Sequence, residues 1–203
     1  MKLISRFIQS IVIVITTFLL ASCLSPVKSE QQNIYTLTAV PFYNSAKVNR
    51  RITLLVAPPE TEIAYDTTQM AYTIMPYQMA YFGKNRWAST PSQMLQPLIV
   101  QTLQNSHRFH AVVIPPSLAR YDYVLNTQIS KIQQDFTVQP AMFNLVINAQ
   151  LNRLIGGQVI ATKQFIVNEP MPMNSPYGGV IAGNQATKII LRQIADFVIR
   201  NTR

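Results

Sequence analysis

The chain has 203 residues, 48% of them hydrophobic and 12% charged, with 17 Lys and Arg against 8 Asp and Glu and a formal net charge of +9. That length suits one domain, or a domain with small additions, and can bury a real core. The cations are scattered, with Arg50-Arg51 the only adjacent pair, so no arginine-rich groove for nucleic acid is written here, and a single cysteine, Cys23, leaves no disulfide partner.

At the start of the chain, Lys2 and Arg6 precede an apolar block from Phe7 to Leu20 that ends in Leu20-Ala21-Ser22-Cys23. A charged start, a short apolar stretch and a small-residue cleavage site predict a secretory signal peptide over residues 1–22. The block is too short for a comfortable span, which needs about 20 apolar residues. LASC is also the lipobox pattern, in which the cysteine is acylated and becomes the first mature residue. At about 0.8 kcal/mol per buried CH₂, several acyl chains on Cys23 make a permanent membrane tether. Leu24 follows it, not the aspartate that commonly marks inner-membrane retention, so the expected location is the periplasmic face of the outer membrane. Residues 23–33 form a polar tether whose ten or so extended residues reach at most about 35 Å. The domain over 34–203 would then stay near the membrane, and the nearest anions for its basic surface would be lipid head groups.

Ile34 to Ala39 alternates and predicts a strand, and the apolar run from Ile52 to Ala57, closed by Pro58-Pro59, predicts a buried central one. QMAY then occurs twice. Met70, Tyr72 and Ile74 would share one strand face and Tyr77, Met79 and Tyr81 a face of the next, with Pro76 marking the hairpin or bend between them. Thr90-Pro91-Ser92-Gln93 is a capping box with proline at the first helical position, followed by Met94, Leu95, Leu98, Ile99 and Leu103 on one face of a helix over 91–105. Pro97 should kink that helix or delay its start.

A short strand around Ala111, an alternating one through Tyr123, Leu125, Thr127 and Ile129, and another through Phe143, Leu145, Ile147, Ala149 and Leu151 come next. Gly156-Gly157 predicts a hairpin turn into the run from Gln158 to Val167. A proline-rich loop over 168–177 leads to a closing helix with Ile190, Ile194, Phe197 and Val198 as its buried stripe. Arg200 and Arg203 suit the dipole at its C-terminal end. The expected fold class is a mixed α/β domain, with a largely antiparallel sheet and helices packed on it.

No catalytic arrangement emerges. His107 and His110 have no third ligand nearby in sequence, so no metal is expected, and YGGVIAG lacks the Lys-Ser/Thr ending of a nucleotide loop and reads as a plain helix entry. Glu60 and Glu62 form the only close carboxylate pair and read as loop surface. Neither a cofactor nor an enzymatic activity is expected.

The block from Val56 to Leu103 resembles the auxiliary lipoproteins of ABC-type transport systems, the group containing the paraquat-inducible lipoprotein. Leu54 and Val56 match its Leu-x-Val strand, Pro59 its proline, Tyr72 and Tyr81 its tyrosine-bearing hairpin, and Trp87-Ala88 its Trp-Ala step, with Pro91 one place late. Leu95, Leu98 and Leu103 match its leucine-striped helix, and Asp122-Tyr123-x-Leu125 its later strand. The resemblance implies a non-enzymatic component of a lipid-trafficking ABC system that works with an MCE-domain protein, a permease and an ATPase. Met70, Tyr72, Ile74, Tyr77, Met79, Tyr81 and Trp87 are the candidate partner-binding residues; Trp87 is expected to be a stability residue first and a contact second, where the hairpin meets the first helix, and the tyrosines facing away from the core are expected to make the contact. The other reading is a structural or activator lipoprotein of an envelope machine for peptidoglycan synthesis or secretion. A homo-oligomer is compatible with either.

Overall fold

The computed structural model describes residues 31–43 and 51–202; the expected signal peptide, Cys23 and the tether up to residue 30 lie outside the described residues. In chain order the elements are β1 (Asn33–Tyr35), β2 (Thr53–Val56), β3 (Glu60–Thr61), β4 (Gln69–Thr73), β5 (Ala80–Trp87), α1 (Pro91–Asn105), β6 (Ala111–Val113), β7 (Tyr123–Asp135), β8 (Met142–Arg153), β9 (Val159–Pro170) and α2 (Pro176–Asn201).

The alternating runs of the second half set the frame. Tyr123, Leu125, Thr127 and Ile129 of β7 are buried, and so are Phe143, Leu145, Ile147, Ala149 and Leu151 of β8, because successive side chains of a strand point to opposite faces. β7, β8 and β9 pair antiparallel, with Leu125 opposite Leu151 and Leu145 opposite Val167. The β8–β9 turn uses Gly156 at φ 82° and Gly157 at φ 61°, left-handed positions that cost glycine nothing in Cβ contacts. Between Ile129 and Lys131 a register shift inserts one residue into β7, so its buried set passes from Ile129 to Ile132 and Gln134 while β8 alternates unbroken.

The other edge of β7 is tiled in turn by three short strands, all parallel to it. Leu54 of β2 lies opposite Tyr123, Glu60 of β3 opposite Gln128, and Ala71 of β4 opposite Gln133. β2 also pairs with β6, which makes it the interior strand its apolar run predicts, with Leu54 and Val56 fully buried. Beyond β4 the sheet continues through β5 to β1. The parallel pairings are short and the antiparallel ones long, so the mixed sheet is largely antiparallel by length.

Two boundaries differ from the sequence expectation. β1 stops at Tyr35, because the Thr38 and Ala39 amides donate to Asn184 Oδ1 at 2.8 and 3.2 Å and draw the chain off the sheet along α2. β9 runs on to Pro170, so residues 168–170 belong to a strand and not to the loop. Proline is tolerated there because the strand is at a sheet edge.

α1 begins at the expected capping box, with Gln93 Oε1 accepting from the Thr90 amide at 3.3 Å, and buries Met94, Leu95, Leu98, Ile99 and Leu103. Pro97 neither ends the helix nor delays it. Pro97 and Gln93 are both exposed, so the Gln93 carbonyl that loses its N–H partner faces water. Both helices pack on one face of the sheet and against each other, over a single core.

Candidate functional site

The first QMAY falls on β4, and the second runs from the turn into the start of β5. β4 ends at Thr73 and β5 begins at Ala80, so Ile74, Tyr77 and Met79 are turn residues and the two alternating faces expected for them do not form. Pro76 is the physical reason, since it cannot donate to a ladder and presets the second position of a turn. The Gln78 amide donates to the Met75 carbonyl at 3.2 Å, and Thr73 Oγ1 lies 2.8 Å from the Met75 carbonyl and 2.6 Å from that of Gln78. Tyr77, the third residue of that turn, has φ 65°, where glycine or asparagine is usual. Its side chain is fully exposed, and Ile74 and Met75 beside it are 57% and 55% exposed.

Beneath the turn lies an aromatic platform. Tyr72 stacks on Phe82 with centroids 4.3 Å apart, and Phe136, from the end of β7, sets its ring edge-on to both at 6.2 and 6.4 Å. The Phe136 amide donates to the Thr73 carbonyl at 2.9 Å, which fixes the β7–β8 loop to the end of β4. Tyr81 donates its hydroxyl to the Ala64 carbonyl at 2.6 Å, and Tyr65 donates to Gln133 Oε1 at 2.6 Å. Burial raises the Tyr65 phenol above its ordinary pKa, and Tyr81 adds to the rise, so Tyr65 stays a neutral donor.

The seven candidates thus divide. Met70 and Trp87 are core residues, Trp87 meeting the Phe143 ring edge-on at 6.4 Å. Tyr72 and Tyr81 are half-buried supports, and Ile74, Tyr77 and Met79 form the exposed tip. Sequence reasoning missed Met75, Phe82 and Phe136. Met75 was open to discovery as an apolar residue in a proline turn, whereas Phe136 joins the patch only through a long-range register.

Elsewhere many polar side chains are tied to one another, while the Thr61, Thr127 and Thr187 hydroxyls, Arg86 Nε and Gln134 Oε1 are buried without a hydrogen-bond partner among the described residues. On the sheet face away from the helices, a groove of about 650 Å³ is lined with amides: Gln164 donates to Asn148 at 3.0 Å, Asn148 to Ser130 at 2.8 Å and Gln128 to Glu62 at 3.0 Å. Glu62 is therefore tied into a neutral ladder. The YGGVIAG run lies inside α2, with Ser175 as its cap accepting from the Gly178 amide at 3.1 Å. A Cβ on Gly178 would overlap the Met173 carbonyl, and one on Gly179 the buried Gln134 side chain, so these glycines serve close packing. Among the described residues no three His, Cys, Asp or Glu come together as metal ligands, and no helix is long and apolar enough to cross a membrane.

The family model of the ABC-type transport auxiliary lipoprotein component matches residues 35–195. No curated protein matches the chain. Among solved structures, protein XCC0632 from Xanthomonas campestris superposes with a TM-score of 0.74 at 20% identity, over 83% of this chain and 96% of that one. An uncharacterized protein gives 0.65 at 17%, over 83% and 99%. The hypothetical protein CT253 from Chlamydia trachomatis gives 0.52 at 8%, over 75% and 98%. These likenesses concern the fold alone.

Proposed function

Because the chain belongs to the ABC-type transport auxiliary lipoprotein components, we propose that it is a non-enzymatic docking subunit, anchored in the outer membrane through acylated Cys23, that engages a periplasmic MCE-domain protein with its β4–β5 turn. The cargo would be lipid, and ATP hydrolysis would belong to the ATPase working with the permease. The observation that carries this reading is the turn itself. A tyrosine held at φ 65°, with its whole side chain in water, is a costly local arrangement, and such arrangements cluster at functional sites. Tyrosine supplies a rigid anchor and methionine an adaptable apolar contact, the kind of residue in which interface energy concentrates. The stacked Tyr72 and Phe82 rings, with Phe136 edge-on to both, pack the strands that carry the turn.

The test is capture of an MCE-domain protein from the same cell, with a thermal melt of each variant. Tyr77→Ser and Met75→Ser should weaken capture about tenfold or more, as anchors do, while stability changes by less than about 0.5 kcal/mol. Tyr77→Gly separates the two effects further. Removing the Cβ relieves the left-handed backbone by about 1 kcal/mol, so the melt should rise as capture falls. Stable variants that capture the partner at wild-type strength would remove the turn from the contact surface.

A further inference from the structure

β9 has a neighbour on one side only. Of its 12 residues all but Ile160 have a partner in β8, and no other strand among the described residues pairs with it. An open edge of this length is a template for another strand, and proteins commonly blunt it with bulges, prolines or charges. Here the bulge and the proline are confined to the ends, and the charges within the strand are one of each sign, Lys163 and Glu169. The register shift at Leu151/Asn152 affects only the first residues of β9, and Pro170 is its last, so from Ala161 to Pro170 it keeps one unbroken register with β8.

Alternation divides this regular stretch into two faces. Lys163, Phe165, Val167 and Glu169 face the helices, with Phe165 and Val167 buried; Thr162, Gln164, Ile166 and Asn168 face away, Ile166 being 56% exposed. Lys163 Nζ sits 5.2 Å above the Phe165 ring. The Glu169 carboxylate has no ion or hydrogen-bond partner among the described residues.

A second copy can add antiparallel to this edge only about a two-fold axis perpendicular to the sheet. That axis keeps both core faces on one side and pairs residues of like parity. Centred on Phe165 it would set Lys163 against Val167, and centred on Gln164 against Phe165. Centred on Ile166, it sets Ile166 against itself, Phe165 against Val167, and Lys163 against Glu169 on both sides of the axis. Opposed charges on directly facing positions stabilise a strand pair and like charges destabilise it.

We propose that the free edge of β9 is a self-association surface, on which a second copy of this chain adds antiparallel about an axis through Ile166 and is held in register by two reciprocal Lys163–Glu169 pairs.

The experiment uses the full-length lipoprotein in its own membranes. Facing residues of an antiparallel pair have Cβ atoms about 4.5–5.5 Å apart, close to disulfide reach, so Ile166→Cys should give a band of twice the monomer mass after mild oxidation. The unsubstituted chain, whose only cysteine is Cys23, is the background. Adding Lys163→Glu sets like charges together twice and should cut the linked fraction about fivefold or more; adding Glu169→Lys as well should restore it. Gln164→Cys, which faces Asn168, should not link to itself, while Gln164→Cys combined with Asn168→Cys should. Ile166 is exposed enough for the cysteine to leave folding intact, and protease resistance verifies this. The proposal is overturned if the folded Ile166→Cys chain gives no doubled band, if it links to a different protein, if charge reversal leaves the band unchanged, or if the swap fails to restore it.

Discussion

Trp87 and Tyr77 stand ten positions apart in one hairpin and have opposite surroundings. Trp87 is 3% exposed, with the Phe143 ring edge-on to it, whereas Tyr77 is wholly in water at the tip. Trp87→Ala should therefore cost about 3–5 kcal/mol, the range for an aromatic removed from a core, read from a denaturant melt. An unchanged midpoint would mean that the ring contributes nothing to the core. Both residues stand out in the sequence as members of the aromatic, methionine-rich stretch. The inward seat of Trp87 was expected and is found; the face of Tyr77 was not assigned, because period-2 alternation assigns faces only while the strand lasts, and the strand ends at Thr73. The turn itself was legible in Pro76; the left-handed backbone at Tyr77 was not, since tyrosine carries no signal for it.

At the scale of elements, α1 was open to reading because its capping box and leucine stripe are both local, and β7 and β8 because alternation is local too. The inserted residue near Ser130 was hidden, because a bulge depends on what the partner strand does. The glycines of α2 were legible as a helix entry, but their packing role needed the facing elements. Gly178→Ala would drive a methyl group into the Met173 backbone, a cost of about 1–3 kcal/mol against a helix gain of about 1 kcal/mol, so it should destabilise. Gly183→Ala meets the Phe143 ring at 3.0 Å, a milder approach, and should lie nearer neutral. Denaturant midpoints compare the two, and equal stability of Gly178→Ala and wild type would show that residues 171–175 can yield.

For the whole molecule, composition set the scale of the core, and the family resemblance in residues 51–103 ran ahead of anything periodicity could supply. Periodicity could not have given the sheet order, because β7 gathers strands from both halves of the chain. The anchor belongs to this scale as well. If Cys23 carries the proposed acyl anchor, Cys23→Ser should move the protein from the membrane fraction to the soluble periplasm, since the tether is the only membrane attachment proposed. A variant that stays in the outer-membrane fraction would show that the domain or its partner holds it there.

The tiling of β7 also bears on the order in which the protein can fold. β7, β8 and β9 are neighbours in sequence and can close as successive hairpins, but Leu54 must wait for Tyr123 and Ala71 for Gln133. A chain emerging from its N-terminus can pair β4 with β5 and β2 with β6, but it leaves β3 and the other edges of β2 and β4 open until β7 exists. Long-range parallel pairing is slow to form, and strands without partners are prone to aggregate. The sheet can then be completed only after the late half of the chain has supplied β7, onto whose edge the early strands dock. The interval between the appearance of β2 and the completion of β7 is when this lipoprotein most needs a chaperone to hold it.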